Sequence, residues 1–348
     1  MRINADKLEA CAEEMLLAAG ETQENAKDIA KILIMNDARE ITTHGTYLLN
    51  PIFDRVRANQ FKLPTTARVV KDEGGAVAVV DGEDGLGPVA AKLAAEVAIE
   101  KAKKLGVGAV LIRNTNNVGS LAPFTEMAAK QGMIALFCCN ASPAMSPWGG
   151  LEPFFGTQPF AMAIYTGQNF VFSADMSTSV VARGKIRKAA RDGKSIPDNW
   201  AMDPDGKFTT DPIKAIKGTL LPIGGPKGSA IALTIDIMAG MLSGSSYAPN
   251  VRPIHSPDGT AGVGGCMIVI DIKHFIGLEE FSKNMNDYIA TIKSLRRADG
   301  FDEILIPGES KQRKERDSME NGIELDESAV AALDKILEEI SSKNRLMV

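Results

Sequence analysis

The sequence predicts an α/β protein with a mixed sheet at its centre, flanked by helices from both the N- and C-terminal ends. Three observations predict this. Apolar residues recur at helical spacing near the start of the chain and again towards its end. Between them, short apolar runs bounded by turn residues alternate with helical stretches. Hydrophobic residues make up 45% and charged residues 24% of 348 residues, enough apolar material for a sizeable core.

The elements follow in order. Leu8, Cys11, Met15 and Leu16 mark a first helix. Thr22 is a cap candidate for a second, which buries Ala26, Ile29, Ala30, Leu33 and Ile34 and ends near Arg39. A loop, Glu40 to Gly45, leads to a helix over 47–58 that Pro51 could break at its start. Strands are expected at 67–70 and 76–80, around the turn signal Glu73-Gly74-Gly75. Pro88 opens a helix that continues over 91–104 in good helix formers. Further strands are expected at 107–112, 133–138, 161–165, 170–172 and 266–270, with helices at 121–130 and 231–242. The tail from Lys311 is helical, with Asp326 as a cap before Val330, Leu333, Ile336 and Leu337. Residues 1–64 and 309–348 are expected to form one discontinuous helical domain around an α/β domain, 65–308, that binds the cofactor.

Composition narrows the function. Lys+Arg 39 against Asp+Glu 44 gives a net charge of -5, and the most basic stretch, Lys311 to Arg316, reads as a solvated helix face. Nucleic acid is not an expected partner, because its affinity rests on phosphate neutralisation. No apolar run reaches the roughly 18 residues of a membrane span. The N-terminal Met-Arg-Ile-Asn-Ala-Asp-Lys lacks the apolar core of a signal peptide. The 4 Cys form no C-x-x-C, and no His stands at zinc-ligand spacing from them. Buried thiols in a reducing, cytoplasmic setting are expected, with no metal site.

The dinucleotide fingerprint G-x-G-x-x-G is absent, as are the P-loop and the nucleophile elbow. Gly82-Glu83-Asp84-Gly85-Leu86-Gly87 has the reverse spacing, and its two carboxylates would repel phosphate. The segment Leu220 to Ser229 carries Gly224, Gly225, Lys227 and Gly228 into an apolar helix. It reads either as an anion site at a helix N-terminus or as a plain Pro/Gly helix entry. Of 3 His, His255 has a surface-loop setting and His274 follows a strand. His44, in a loop beside Gly45, is the best general acid–base candidate.

Taken together, several segments resemble the NAD(P)-dependent malate/L-lactate dehydrogenases of the non-Rossmann type. They run from Asp37-Ala38-Arg39 and Thr43-His44-Gly45 to Arg113-Asn114-Thr115-Asn116-Asn117, Pro147-Trp148-Gly149-Gly150 and Phe155-Gly156-Thr157-Gln158-Pro159. Asp175-Met176-Ser177-Thr178-Ser179, Ile196-Pro197-Asp198-Asn199-Trp200 and Thr209-Thr210-Asp211-Pro212 follow. Leu221-Pro222, Pro226-Lys227-Gly228, Ile306-Pro307-Gly308-Glu309 and Asn321-Gly322-Ile323 complete the series. Each motif is short, but their number and order are specific.

The resemblance implies a homodimer with an unusual α/β fold for NAD or NADP and a small-molecule substrate. His44 matches the catalytic His. Asp175 to Ser179, Pro226 with Lys227, and Gly308 with Glu309 and Ser310 match cofactor-contacting segments. Thr43, Leu48, Asn117 and Arg39 are the candidate substrate contacts. Two positions depart from the pattern. Relatives usually carry an Arg four residues after the catalytic His, where this chain has Leu48, and a His near Asn117. Arg39 or Arg183 could replace the missing clamp. The implied reaction interconverts a 2-hydroxy acid and a 2-keto acid. The alternatives are a cyclic imino acid or ureidoglycolate-like substrate, or a non-catalytic paralogue.

Overall fold

The computed structural model describes residues 1–254, 256 and 259–347; His255 lies outside them. The elements run β1 (Arg2–Ile3), α1 (Ala5–Ala19), α2 (Gln23–Ala38), α3 (Leu49–Arg57), β2 (Arg68–Lys71), β3 (Val77–Asp81), α4 (Gly87–Leu105), β4 (Val107–Thr115), α5 (Ala122–Ala129), β5 (Met133–Cys139), β6 (Phe160–Ile164) and β7 (Phe172–Met176). They continue as α6 (Arg183–Arg191), β8 (Ala201–Met202), α7 (Pro212–Lys217), β9 (Thr219–Leu220), α8 (Pro226–Asp236), β10 (Val263–Asp271), α9 (Leu278–Ser294), α10 (Glu309–Asn321), β11 (Ile323–Glu324) and α11 (Glu327–Glu339).

The main sheet has 7 strands in the order β2-β3-β4-β10-β5-β6-β7. Only β3 and β4 are parallel, joined by α4; every other pair is antiparallel. A parallel pair needs a crossover, and α4 supplies it. Its sheet-facing stripe is Ala90, Ala91, Ala94, Ala95, Ala98 and Ala102, all fully buried. Small side chains bring the helix close to the sheet: a Cβ on Gly108 would lie 2.1 Å from the Ala98 carbonyl oxygen.

The two chain ends share one core. Leu8, Met15, Leu33 and Leu49 pack in the same cluster as Ile323, Leu333 and Leu337, and β1 pairs with β11. Thr22 caps α2, its hydroxyl accepting the Asn25 N–H. All four cysteines are buried and free. Among the described residues no helix is long and apolar enough to cross a membrane.

Several elements differ from the sequence expectation. The strand expected at 170–172 meets β7 only at Phe172; β7 runs on to Met176 through Ser173-Ala174-Asp175, a mixed stretch with no apolar run to mark it. The helix expected at 231–242 begins earlier, at Pro226, and finishes in a π-helical turn, Ile237–Met241. The tail is not one helix: it breaks at Gly322, in the left-handed region with φ 92°, to let β11 pair. Asp326 precedes α11 but makes no side-chain capping bond. Pro51 sits in the first turn of α3 and leaves it whole. Helix α9 has no counterpart in the sequence reading, although Met285, Ile289 and Ile292 form a helical stripe against Phe170 and Ile306.

Candidate active site

His44 ends a short 3-10 turn, Thr42–His44, between α2 and α3. Two side chains from the last turn of α2 fix this loop. Asn36, 1% exposed, donates from Nδ2 to the His44 carbonyl oxygen at 3.0 Å and accepts the Ser120 hydroxyl at 2.6 Å. Asp37 accepts the Thr46 N–H at 2.8 Å and the Thr46 hydroxyl at 2.7 Å, both on Oδ2. Its Oδ1 is buried without a partner and lies against Gly45, where a Cβ would come within 1.8 Å of it. Only glycine fits there. Burial pushes the Asp37 carboxyl up to about 6, against the two bonds from Thr46.

The His44 ring is half-buried, and burial lowers its pKa below the ordinary histidine value. Desolvation disfavours the imidazolium, so the ring is neutral at neutral pH. Its Nδ1 lies 3.0 Å from the Thr43 hydroxyl. A hydroxyl both donates and accepts, so Thr43 matches either protonation state of the ring.

Arg39, expected as a substrate contact, belongs to a different structure. It is 3% exposed and forms a fork to Glu126 at 2.7 and 2.8 Å, with Nε donating to Glu315 at 2.8 Å. Burial opposes its charge, but Glu126 and Glu315 outweigh burial and raise its pKa. The guanidinium ties α2 to α5 and α10. Its fork is occupied by two carboxylates, Glu126 and Glu315.

Leu48 and Asn117 line one pocket with His44. Asn117 is exposed, and its Oδ1 accepts the Gly119 N–H at 2.9 Å. Arg55 stands outside the sequence reading, and Asn116 enters it only inside a motif, with no role. Asn116 donates to the carbonyl oxygens of Asp84 at 2.9 Å and Gly85 at 2.8 Å. Arg55, 2% exposed, donates to Asn116 Oδ1 at 3.2 Å. The signal for Arg55 was its spacing, since it lies on the same face of α3 as Leu48 and Ile52. Arg183 opens α6, whose next residue, Gly184, faces the loop: a Cβ there would lie 3.2 Å from the Thr43 methyl. Arg183 donates to the carbonyl oxygens of Pro143 and Ile216, each at 3.3 Å.

The three expected cofactor segments meet along β7. At one end the Ser173 N–H donates to the Pro307 carbonyl at 3.0 Å, placing Gly308, Glu309 and Ser310 beside the strand. Gly308 has φ 92°, and a Cβ on it would lie 2.8 Å from the Ser173 nitrogen. Beyond the other end, Ile223 N–H donates to the Thr178 carbonyl at 2.8 Å and Ser179 bridges Pro222, bringing in Pro226 and Lys227. Thr178 and Ser179 are buried, their hydroxyls donating to the carbonyls of Thr157 and Val181; Ser177 bonds Ser179. Asp175 and Met176 are exposed.

Three helix N-termini adjoin this strand. That of α5 is occupied: Asp175 Oδ2 accepts the N–H groups of Leu121 at 2.7 Å and Ala122 at 2.9 Å. Those of α8 and α10 are capped by Gly225 and Gly308, which have no side chain to accept their first-turn amides. Such ends suit phosphate groups, and the exposed Lys227 adds a cation to the first. Glu309 is drawn to Lys293, at 2.6 and 2.8 Å. The end of α8, with Lys227 beside it, therefore has donors that suit the phosphates of a dinucleotide, while the end of α10 stands at the opposite end of β7. Ser120 and Leu121 connect the two regions, because Ser120 bonds Asn36 under His44 and Leu121 bonds Asp175.

The family model described as malate/L-lactate dehydrogenase matches residues 3–334. The chain belongs to this family, and it is an oxidoreductase of the dehydrogenase/reductase kind. It is 38% identical to the L-sulfolactate dehydrogenase of Methanocaldococcus jannaschii, over 94% of each chain. It is 32% identical to the ureidoglycolate dehydrogenase (NAD(+)) of Escherichia coli (strain K12), over 93% of each. The solved structure of sulfolactate dehydrogenase from Methanocaldococcus jannaschii superposes with a TM-score of 0.91 at 36% identity, covering 98% of both chains. The mixed sheet with flanking helices is thus the family's fold, and family members are named for hydroxy-acid substrates.

Proposed function

We propose that this enzyme interconverts a small 2-hydroxy acid and its 2-oxo acid with NAD or NADP, using His44 as the general acid/base. One observation carries the reading: a half-buried imidazole, bonded to Thr43 on a loop whose backbone Asn36 holds, lines a pocket, and that loop is connected through Ser120 and Leu121 to the strand flanked by the candidate cofactor segments. The nicotinamide, when bound, supplies the hydride chemistry. The protein's own residues do the rest. In the oxidative direction His44 takes the hydroxyl proton; in the reductive direction it returns one to the carbonyl oxygen. Thr43 holds the ring through both states. Residues 175–179, Pro226 with Lys227, and 308–310 hold the dinucleotide, with the open end of α8, beside Lys227, for its phosphates.

Arg183, one residue from the Thr43 contact, is the cation we assign to the substrate carboxylate in place of Arg39. Residues 1–64 with 309–348 form the helical unit carrying His44, and 65–308 the cofactor-binding unit. The exposed apolar strip Ile231, Ile237, Met241 and Leu242 along α8 and its π-helical end supports a homodimer. A cytoplasmic location fits the four free thiols. The test is a turnover panel of 2-oxo acids against NADH and NADPH. Oxidation of either cofactor by at least one acid is expected; no turnover with any pair rejects the reading.

A further inference from the structure

The pocket behind His44 has a chemistry of its own. Apart from His44, its walls are Leu33 from α2, Leu48 and Ile52 on the α3 side, Phe61, Leu86 and Ile254, with Asn116 and Asn117 at one edge. Among the described residues no charged side chain lines it. Asn116 has no donor left to offer a ligand, since its amide N–H groups hold Asp84 and Gly85, and its oxygen accepts from Arg55. Asn117 has its oxygen turned to Gly119, which leaves its uncharged amide N–H groups as donors at that edge. Beyond the imidazole and that amide, a bound molecule meets aliphatic and aromatic carbon. A second carboxylate or a sulfonate placed there would be desolvated with no counter-charge.

Arg55 holds these walls together. Its guanidinium donates to the carbonyl oxygens of Pro253 at 3.4 Å, Ser256 at 3.3 Å and Gly259 at 3.1 Å, and to Asn116 at 3.2 Å. It also lies over the Phe61 ring, 5.1 Å from its centroid. Three walls of the pocket, Phe61, Asn116 and the segment carrying Ile254, are therefore pinned to one buried side chain of α3.

We propose that this pocket is an apolar side-chain subsite, so that the substrate is a 2-oxo or 2-hydroxy acid with an aliphatic tail, and that Arg55 is a positioning residue for it. The inference rests on the oxidoreductase reading for its reaction but not for its binding. With the carboxylate at Arg183 and the reacting oxygen at His44, the tail enters past Leu48.

Two measurements on the full-length enzyme test it. The first is titration calorimetry with NADH present, comparing oxamate with N-propyl oxamate, which adds only a tail. Tighter binding of the N-propyl compound, by about fourfold per methylene buried, is expected. Equal affinity, weaker affinity or no binding overturns the subsite. The second is kcat/KM across glyoxylate, pyruvate, 2-oxobutyrate, 2-oxopentanoate and oxaloacetate. A rise with tail length, with oxaloacetate below 2-oxobutyrate, is expected; oxaloacetate ahead of every aliphatic acid overturns the subsite. If no acid is turned over but N-propyl oxamate still binds more tightly than oxamate, the reaction assignment fails and the subsite stands. Two variants sharpen the result. Leu48→Arg should move preference towards oxaloacetate by about tenfold or more. Arg55→Lys keeps the charge but not the fork, and should flatten the dependence of KM on tail length, which restoring Arg recovers. An unchanged dependence assigns Arg55 to fold stability alone.

Discussion

The chain on the two sides of His44 is held by opposite means. Upstream, at the end of α2, the anchors are polar: Asn36 donates and accepts, Asp37 takes two bonds from Thr46 on one oxygen, and Arg39 meets two carboxylates. Downstream, on α3, Leu48 and Ile52 face an apolar pocket, and among the described residues the buried guanidinium of Arg55 donates to neutral oxygens at 3.1 to 3.4 Å. Arg39 and Arg55 are 3% and 2% exposed, yet their surroundings shift them in opposite directions. Glu126 and Glu315 raise Arg39 against the effect of burial, while burial, with Arg252 nearby, lowers Arg55. Matched charge fixes a reacting group in place. Neutral, weaker bonds set the shape of a wall and leave it free to differ between relatives.

The largest expected effect lies at the residue both sides hold. His44→Asn should lower turnover by about 10²–10⁴-fold with cofactor binding, read by fluorescence quenching, retained. Unchanged turnover near neutral pH would sink the general-acid assignment. In the wild type the lowered pKa keeps the imidazole neutral below the ordinary histidine range. Oxidation should therefore persist at pH values where an unperturbed His is already protonated, while reduction should gain as pH falls.

Next comes the contrast of the arginines. Arg39→Met strands Glu126, 1% exposed, and should cost about 3–5 kcal/mol of stability. Arg55→Met removes bonds to neutral carbonyls and should cost about 1–3 kcal/mol. Denaturant melts of both read the difference, and equal losses would break the comparison.

Asp37 offers a pH test of the upstream side. Its folded pKa, about 6, stands above the ordinary 3.8, so the folded state binds the proton more tightly. Stability from this group is present at low pH and is lost as pH rises from about 4 to about 6, by up to about 3 kcal/mol. The melting temperature of Asp37→Asn should lack that part of the pH dependence. A wild type and variant that track each other across this window would remove Asp37 from the account.

The smallest effect is steric. Gly45→Ala drives a methyl onto Asp37 and should cost about 1–3 kcal/mol, with loss of turnover exceeding loss of stability because His44 moves with the loop. An Asp37→Ala background should relieve it.

Much of this was legible along the chain. Helices α1, α2 and α4 and strands β3, β4, β5 and β10 announce themselves by periodicity, because each buries one face and repeats the pattern within a few residues. β7 is poorly legible because Ser173-Ala174-Asp175-Met176 mixes polar and apolar residues without a run. Helix α9 was passed over because only Ile289 in it is fully buried, which leaves a thin stripe on a charged helix. At the site, His44, Leu48 and Asn117 were readable as motif positions. The assignment of Arg39 to substrate was not safe, because a lone Arg in a sequence shows no partners, and its carboxylates lie 87 and 276 residues away.

The sequence by itself determined the fold class, the family and the short list of reacting groups. These depend on local pattern: spacing within a helix, glycine beside a histidine, and the order of short motifs. Only the tertiary structure decided which arginine is spent on structure, that Gly45 is required by an approaching carboxylate, that Asn36 and Ser120 meet 84 residues apart, and that the wall beyond His44 is carbon. Each of those depends on burial and on partners brought together by folding, and a side chain's chemistry changes most when water is replaced by a specific neighbour.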